Sequence, residues 1–355
     1  MTIRVGTIGA SFARQAYLPA LNTIHDVELV AIASARMESA QSAAESFAIP
    51  HVYDDWQRMI GEHQFDLVCI ATPTLYHAPM TLAALRAGAH VLCEKPMAMN
   101  RDESARMLET AESLNRLHII GHELRFNPNR RAIKSLIESG FIGQVRHANI
   151  INISGAWGDP ASRPAGDWWS REDMGGGRLG ASGSHMIDLL RFWLGDIAAV
   201  SGQFATMVRE RIDSESGESW RATADDQSSF LLEMKSGALC SVFMSGAARH
   251  GMGNQTQIFG SEGTITLADS DERLMVAKAG EDFVDMSERD PNANLEGIGM
   301  GIWNVSFVAL MVELTAAIRE KRSLGWGATF ADGHQCQITM DAVRQSSAER
   351  RWLDL

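Results

Sequence analysis

Four times in its first 121 residues the chain passes from a short apolar run into a helical pattern, and a fifth apolar run closes the series. Ile3 to Ile8, Val27 to Ala33, Phe65 to Ala71, His90 to Cys93 and Leu117 to Gly121 read as strands. Helical patterns follow at Phe12 to Ala20, at Met37 to Phe47 (closed by Ile49-Pro50), at Ala78 to Ala87 and at Arg101 to Leu114. Strands that are apolar on both faces must be covered on both, and helices of about ten to fifteen residues between them supply the cover; this is the pattern of a parallel, doubly wound sheet. Residues 1–122 are therefore expected to form a Rossmann-like domain.

Such a domain uses a third of the 355 residues, so a second domain is expected after it. With 45% hydrophobic and 21% charged residues and only 9 Pro, the composition excludes a disordered or collagen-like chain. The net charge of −12, without a run of Lys or Arg, argues against a nucleic-acid partner. The longest apolar stretches, such as Phe65 to Ala71 and Val305 to Val312, fall short of the ~20 residues of a bilayer span, so no membrane partner is expected. Met1 to Gly9 reads as a strand and not a signal peptide, which predicts a cytoplasmic protein. Cys69, Cys93, Cys240 and Cys336 lie far apart and are expected as buried free thiols. The eleven histidines show no zinc-binding spacing, so no metal is expected.

In a doubly wound sheet the first strand-to-helix turn faces a ligand pyrophosphate, because glycine admits close approach and the helix N-terminus favours negative charge. Here the turn reads Gly6-Thr7-Ile8-Gly9-Ala10-Ser11-Phe12-Ala13-Arg14. Against the pattern G-x-G-x-x-G, Gly9 fills the first position, Ser11 the second and Arg14 the last. Ser11 still offers a hydroxyl and Arg14 a charge; a plain structural turn is the alternative. Ribose selectivity belongs at the end of the second strand. That strand ends Ala33-Ser34-Ala35-Arg36, without the acid that would hold both hydroxyls of NAD. Ser34 and Arg36 suit a 2′-phosphate, which favours NADP over NAD, unless Arg36 is only a solvated residue at a helix start.

Further on, Ala71-Thr72-Pro73-Thr74-Leu75-Tyr76-His77 and Val91-Leu92-Cys93-Glu94-Lys95-Pro96 end successive strands. The Glu-Lys-Pro closure resembles the signature of the Gfo/Idh/MocA oxidoreductase family, which includes glucose-fructose oxidoreductase and inositol dehydrogenase. The segments Gly121 to Pro128, Gly175 to Asp188 and Phe259 to Thr264 resemble further blocks of that family, in the family's order. The resemblance implies a second, α+β domain over residues 123–355, with an open, mostly antiparallel sheet that packs helices on one face. Alternating runs at Val145 to Ile153, Val200 to Met207, Ser228 to Met234, Ala238 to Met244 and Gln255 to Phe259 agree with it. A final helix around Phe330 to Ser347 would return toward the domain boundary, and Ala279 to Gly301 reads as a polar loop, a plain surface excursion in preference to a cover over a cleft.

By resemblance, Lys95 lies beside the nicotinamide and hydrogen-bonds the reacting oxygen, with Thr72, Pro73, His77 and Glu94 lining the dinucleotide together with Phe12 of the first turn. His185 and Asp188 stand at i and i+3 on one helix face, and a neutral imidazole there suits proton transfer. Five glycines among Gly175 to Gly183 suggest close approach of backbone to a ligand. Most catalytic relatives carry Asp-x-Gly-x-His in this region, whereas here the aspartate position is Ala181; Asp188 or Asp167 is a possible stand-in. Trp168-Trp169 suits a sugar-ring platform or a core, and Arg125 suits an acidic substituent or an ion pair with Glu123 or another acid. The expected function is an NAD(P)-dependent oxidoreductase acting on a hydroxyl or keto group of a sugar, cyclitol or related ring, and the family implies a homodimer or homotetramer. Two alternatives stay open: a non-catalytic dinucleotide-sensing regulatory protein, motivated by Ala181, and a cyclic dihydrodiol dehydrogenase.

Overall fold

The computed structural model describes residues 2–268 and 272–355. The chain divides into two compact units, Met1–Asn127 with Arg289–His334, and Pro128–Glu288 with Gln335–Leu355. This moves the first boundary from His122 to Asn127 and takes residues 289–334 out of the expected second domain.

The first unit holds a six-stranded sheet built from β1 (Ile3–Ile8), β2 (Val27–Ala33), β3 (His51–Tyr53), β4 (Leu67–Ile70), β5 (His90–Cys93) and β6 (His118–Ile120). Its order is β3-β2-β1-β4-β5-β6 and every pairing is parallel. The chain builds outward from β1 to β3 and then returns to pair β4 with β1. The connections therefore diverge at the carboxyl ends of β1 and β4, where open α/β sheets bind their ligands. The helices are α1 (Ala10–Gln15), α2 (Tyr17–Asn22), α3 (Met37–Phe47), α4 (Trp56–Glu62), α5 (His77–Arg86) and α6 (Arg101–Ser113). The single helix expected over Phe12 to Ala20 is two short ones, because Ala16 leaves helical geometry at φ −125°. β3 and α4 were not foreseen: three residues are too few to show an alternation, although Asp55 marks the start of α4 by accepting from the Gln57 and Arg58 N–H groups.

One face of the sheet is covered by α1 to α3 together with a return helix, Ile302–Glu320, and the other by α4 to α6. By length and composition the return helix is apolar enough to cross a bilayer, a test that the core helix of a folded domain also meets. Its Phe307, Leu310, Met311 and Leu314 are buried in the same cluster as Ile3, Val5 and Tyr17, and this burial draws residues 289–334 into the first unit. The segment after it lies along β6, with the Ala328 carbonyl accepting from the Ile120 N–H at 2.8 Å.

The second unit carries a nine-stranded sheet. Its strands are β7 (Val145–Ile153), β8 (Ile197–Ala205), β11 (Gln227–Met234), β12 (Leu239–Ser245), β13 (Gly253–Gly260), β14 (Gly263–Ala268), β15 (Arg273–Lys278), β16 (Val284–Asp285) and β17 (Leu353–Asp354). β9 (Glu210–Ile212) and β10 (Ser219–Arg221) form a separate hairpin. The order is β16-β15-β14-β13-β7-β12-β11-β8-β17, antiparallel throughout except between β7 and β12. Along β11, Ser228, Phe230, Leu232 and Met234 are buried while Ser229, Leu231 and Glu233 are exposed, so one face is covered and the other open. Helices α7 (Pro128–Glu138) and α8 (Ser184–Leu194), and most of the final helix Phe330–Glu349, belong to this unit. The strand expected over Val200 to Met207 runs from Ile197 to Ala205, and the stretch read as loop over 279–301 contains β16.

Candidate active site

Gly9 ends β1 at φ +97°, and a Cβ built there would lie 2.2 Å from the Ala71 carbonyl oxygen, so no other residue fits this turn. Among the described residues no side chain caps α1 and no acid stands in its first turn. Its leading N–H groups are therefore available to a phosphate, and the turn fits a dinucleotide. Arg36 Nη2 lies 3.2 Å from the Ser11 hydroxyl, and the Ser34 hydroxyl accepts from the Arg36 N–H at 3.4 Å. Three of the expected cofactor residues, Ser11, Ser34 and Arg36, are thus brought together. Arg14 is directed elsewhere and donates to the Ser42 hydroxyl of α3 at 2.9 Å. Phe12 joins an aromatic trio with Tyr17 and Phe307, its ring centroid 5.7 and 5.8 Å from theirs, so its ring serves packing.

Thr72 and Pro73 are half-buried just past the end of β4. His77 opens α5 and is fully buried, with its ring nitrogens each 2.9 Å from a backbone carbonyl, that of Thr72 and that of Pro96. Burial pushes its pKa down. Its ring ties the loop after β4 to the loop after β5.

At the end of β5, Glu94 is buried. Its Oε1 accepts from the Tyr17 hydroxyl at 2.6 Å; its Oε2 accepts from the Lys95 N–H at 3.2 Å and lies 3.8 Å from Lys95 Nζ. Burial raises the Glu94 pKa, while Lys95 and the Tyr17 hydroxyl oppose the rise. Gly121 leaves the room for this cluster: a Cβ there would stand 2.7 Å from Glu94 Oε1. Arg125, on the turn Glu123–Phe126, pairs with Asp332 at 3.2 Å, the expected ion pair with another acid.

In the second unit, one π-helical turn over Leu179–Gly183 leads into α8. Ala181 lies in that turn, and His185 and Asp188 follow on α8, both buried. Three of the glycines before them leave room for other parts of the chain. A Cβ on Gly176 would lie 2.4 Å from the Trp168 carbonyl, one on Gly177 2.2 Å from Asp225 Oδ1, and one on Gly183 2.8 Å from Met244 Cε. Asp225 also accepts from the Leu179 N–H at 2.8 Å, and its burial pushes its pKa up to about 6. Arg178 donates to Asn152, and burial lowers its pKa. Asp167 is committed to Arg163 at 2.7 Å and to the Ser170 hydroxyl at 3.0 Å. Trp168 and Trp169 stack on one another with centroids 3.8 Å apart. Tyr17 and Asp225 were not singled out from the sequence, since each acquires its role only from a distant partner.

Residues 3–122 match the model of an oxidoreductase family with an NAD-binding Rossmann fold, and residues 130–266 that of the GFO/IDH/MocA C-terminal domain. The chain belongs to the GFO/IDH/MocA oxidoreductase family. Levoglucosan dehydrogenase of Pseudarthrobacter phenanthrenivorans is 28% identical over 347 residues, covering 91% of this chain and 88% of that protein. Myo-inositol 2-dehydrogenase of Thermotoga maritima is 27% identical, covering 74% of each. A solved levoglucosan dehydrogenase in complex with NADH and L-sorbose superposes with a TM-score of 0.89 at 28% identity, covering 100% of this chain and 99% of that one.

Proposed function

We propose that this protein is a dehydrogenase or reductase for a sugar, cyclitol or related hydroxylated ring, and that it prefers NADP. A bound nicotinamide supplies the hydride acceptor or donor at a CH–OH carbon. Lys95 holds the reacting oxygen by a hydrogen bond from its ammonium group, which stabilises negative charge as it develops there. His185 takes the hydroxyl proton on oxidation and returns it on reduction, and Asp188, one turn on, binds a neighbouring hydroxyl or orients the imidazole. Trp168 offers an apolar face to the ring. The observation that carries this reading is the pairing of Lys95 with a buried carboxylate at the strand end of a dinucleotide sheet. Sugar and cyclitol specificities among the relatives support the substrate class.

The NADP preference rests on Ser34 and Arg36, which meet Ser11 of the phosphate turn, in a strand end without an acid. Leu231, Leu239 and Phe243 on the open face of the sheet support self-association as a homodimer or homotetramer, measurable by light scattering. The main test is a screen of polyols and ketoses with NADP and NAD, followed by near-ultraviolet absorbance of the reduced nicotinamide. Lys95→Ala is expected to lower kcat about a hundredfold or more while dinucleotide binding is retained. Full turnover by that variant would overturn the role given to Lys95, and dinucleotide binding with no turnover on any substrate would favour a sensor.

A further inference from the structure

We infer that Tyr17 is a positioning residue for the reaction, its hydroxyl holding the Glu94 carboxylate ionised and aimed at Lys95. The inference rests on the role proposed for Lys95 and adds to it a residue 78 positions earlier in the chain, on a different element.

Glu94 occupies an interior position where a carboxylate is costly to keep charged. The interactions opposing that cost are few and specific. The Tyr17 hydroxyl donates to Oε1 at 2.6 Å, and Lys95 approaches Oε2 through its N–H and its ammonium. Three titratable neighbours, Cys69, Cys93 and His77, do not compete for the charge. Burial raises the thiols of Cys69 on β4 and Cys93 on β5, so they stay neutral, and it lowers His77 on α5, which faces Lys95. His122 and Glu123 follow Gly121 on the turn after β6. Tyr17 itself, fully buried, is raised well above the ordinary phenol value by burial and by Glu94, so it remains a hydroxyl donor at every working pH.

The position of the hydroxyl is fixed from behind. The Tyr17 ring packs edge-on against Phe12, and against Phe307 of the return helix with centroids 5.1 Å apart. Gly121 leaves open the space over Oε1 into which the hydroxyl projects, its Cβ position lying 3.3 Å from the Tyr17 hydroxyl oxygen. A tyrosine in a purely packing role would gain nothing from a hydroxyl here. This hydroxyl instead reaches the carboxylate that faces Lys95.

Tyr17→Phe keeps the ring and removes only the donor. In the dinucleotide-free protein, Glu94 ionisation can be followed by its infrared carboxyl band, assigned by difference from Glu94→Gln. The variant is expected to titrate about one to two pH units higher than the wild type, the shift a hydrogen bond to a charged group supports. The acidic limb of the kcat profile should rise by a similar amount while the dinucleotide Kd is unchanged. In a Glu94→Gln background, Tyr17→Phe should have no further effect on that limb. An unmoved Glu94 titration, or a shift of the limb that persists in the Glu94→Gln background, overturns the inference. If Tyr17→Phe does not fold, Glu94→Gln tests the step on which the inference depends: loss of the acidic limb supports a charged Glu94 acting on Lys95, and an unchanged limb overturns it. Full turnover by Lys95→Ala would reject the role of Lys95 separately, since the shift of the Glu94 titration between wild type and Tyr17→Phe is read without turnover.

Discussion

At Gly9 a single glycine makes a turn at φ +97° and leaves the leading N–H groups of α1 uncapped, whereas Gly176, Gly177 and Gly183 are each crowded by another part of the chain. Gly176 receives the Trp168 and Trp169 carbonyls, Gly177 the Asp225 carboxylate and Gly183 the side chains of Met244 and Leu179. The sparse turn thus presents backbone donors to a ligand, while the dense run packs and caps the segment that carries His185. Uncapped donors can meet an anion, whereas a crowded glycine answers to its protein neighbour.

The difference can be broken from its stronger side first. Gly177→Ala places a Cβ at φ +111° against Asp225 and is expected to destabilise the protein by about 3 to 4 kcal/mol, with dinucleotide affinity unchanged, as measured by denaturant unfolding and binding titration. A loss of dinucleotide affinity without a loss of stability would mean that the run serves the ligand after all.

The carboxylate that fills the space at Gly177 has its own signature. The fold raises Asp225 from 3.8 to about 6 through burial, so between those values the folded state holds a proton that the unfolded state has released. Its contribution is complete below about pH 4 and declines as pH rises to about 6, a loss of about 3 kcal/mol at most. Asp225→Asn keeps an acceptor for the Leu179 N–H and should flatten stability across that window, as unfolding curves at several pH values would register. A slope that survives the substitution would place the titrating group elsewhere.

At the sparse turn the expectation reverses. Gly9→Ala should weaken dinucleotide binding about a hundredfold, equivalent to about 2.7 kcal/mol, because the turn must shift to clear the Ala71 carbonyl. Fluorescence titration of the folded variant checks this, and near-normal affinity would show that the phosphate turn lies elsewhere.

The same contrast marks what could be read from the residues alone. β1, the turn and the alternation behind it were legible because each signal is local: a strand of six, a glycine, then helical spacing. β3 and the β9–β10 hairpin escaped because strands of three residues show no run long enough to read. The return of residues 289–334 to the first unit has no local mark either, since an apolar helix announces that it is buried but not against what. At the site, Lys95 and Glu94 were legible through their motif. Arg125 stayed ambiguous until its partner 207 positions away was known, and Tyr17 and Asp225 depend on partners 77 and 46 positions distant. A polar group whose meaning is its partner cannot be read before the fold supplies that partner.

The smallest expected effect is the most selective, and it separates a ligand-facing charge from a structural one within the sparse turn. Arg36 meets Ser11 at 3.2 Å and its guanidinium is exposed, whereas Arg14 bonds to Ser42 on the neighbouring helix. If Arg36 reads a 2′-phosphate, Arg36→Ala removes one charge-assisted contact from NADP and none from NAD. NADP binding should weaken about tenfold, or about 1.4 kcal/mol, while NAD binding stays level. Arg14→Ala should leave the ratio of the two affinities as it was, because its bond to Ser42 serves the helices. Equal losses of NADP and NAD affinity in Arg36→Ala would reduce Arg36 to a support for Ser11, and the preference would then have to reside in Ser34, whose hydroxyl is the other donor at the end of β2.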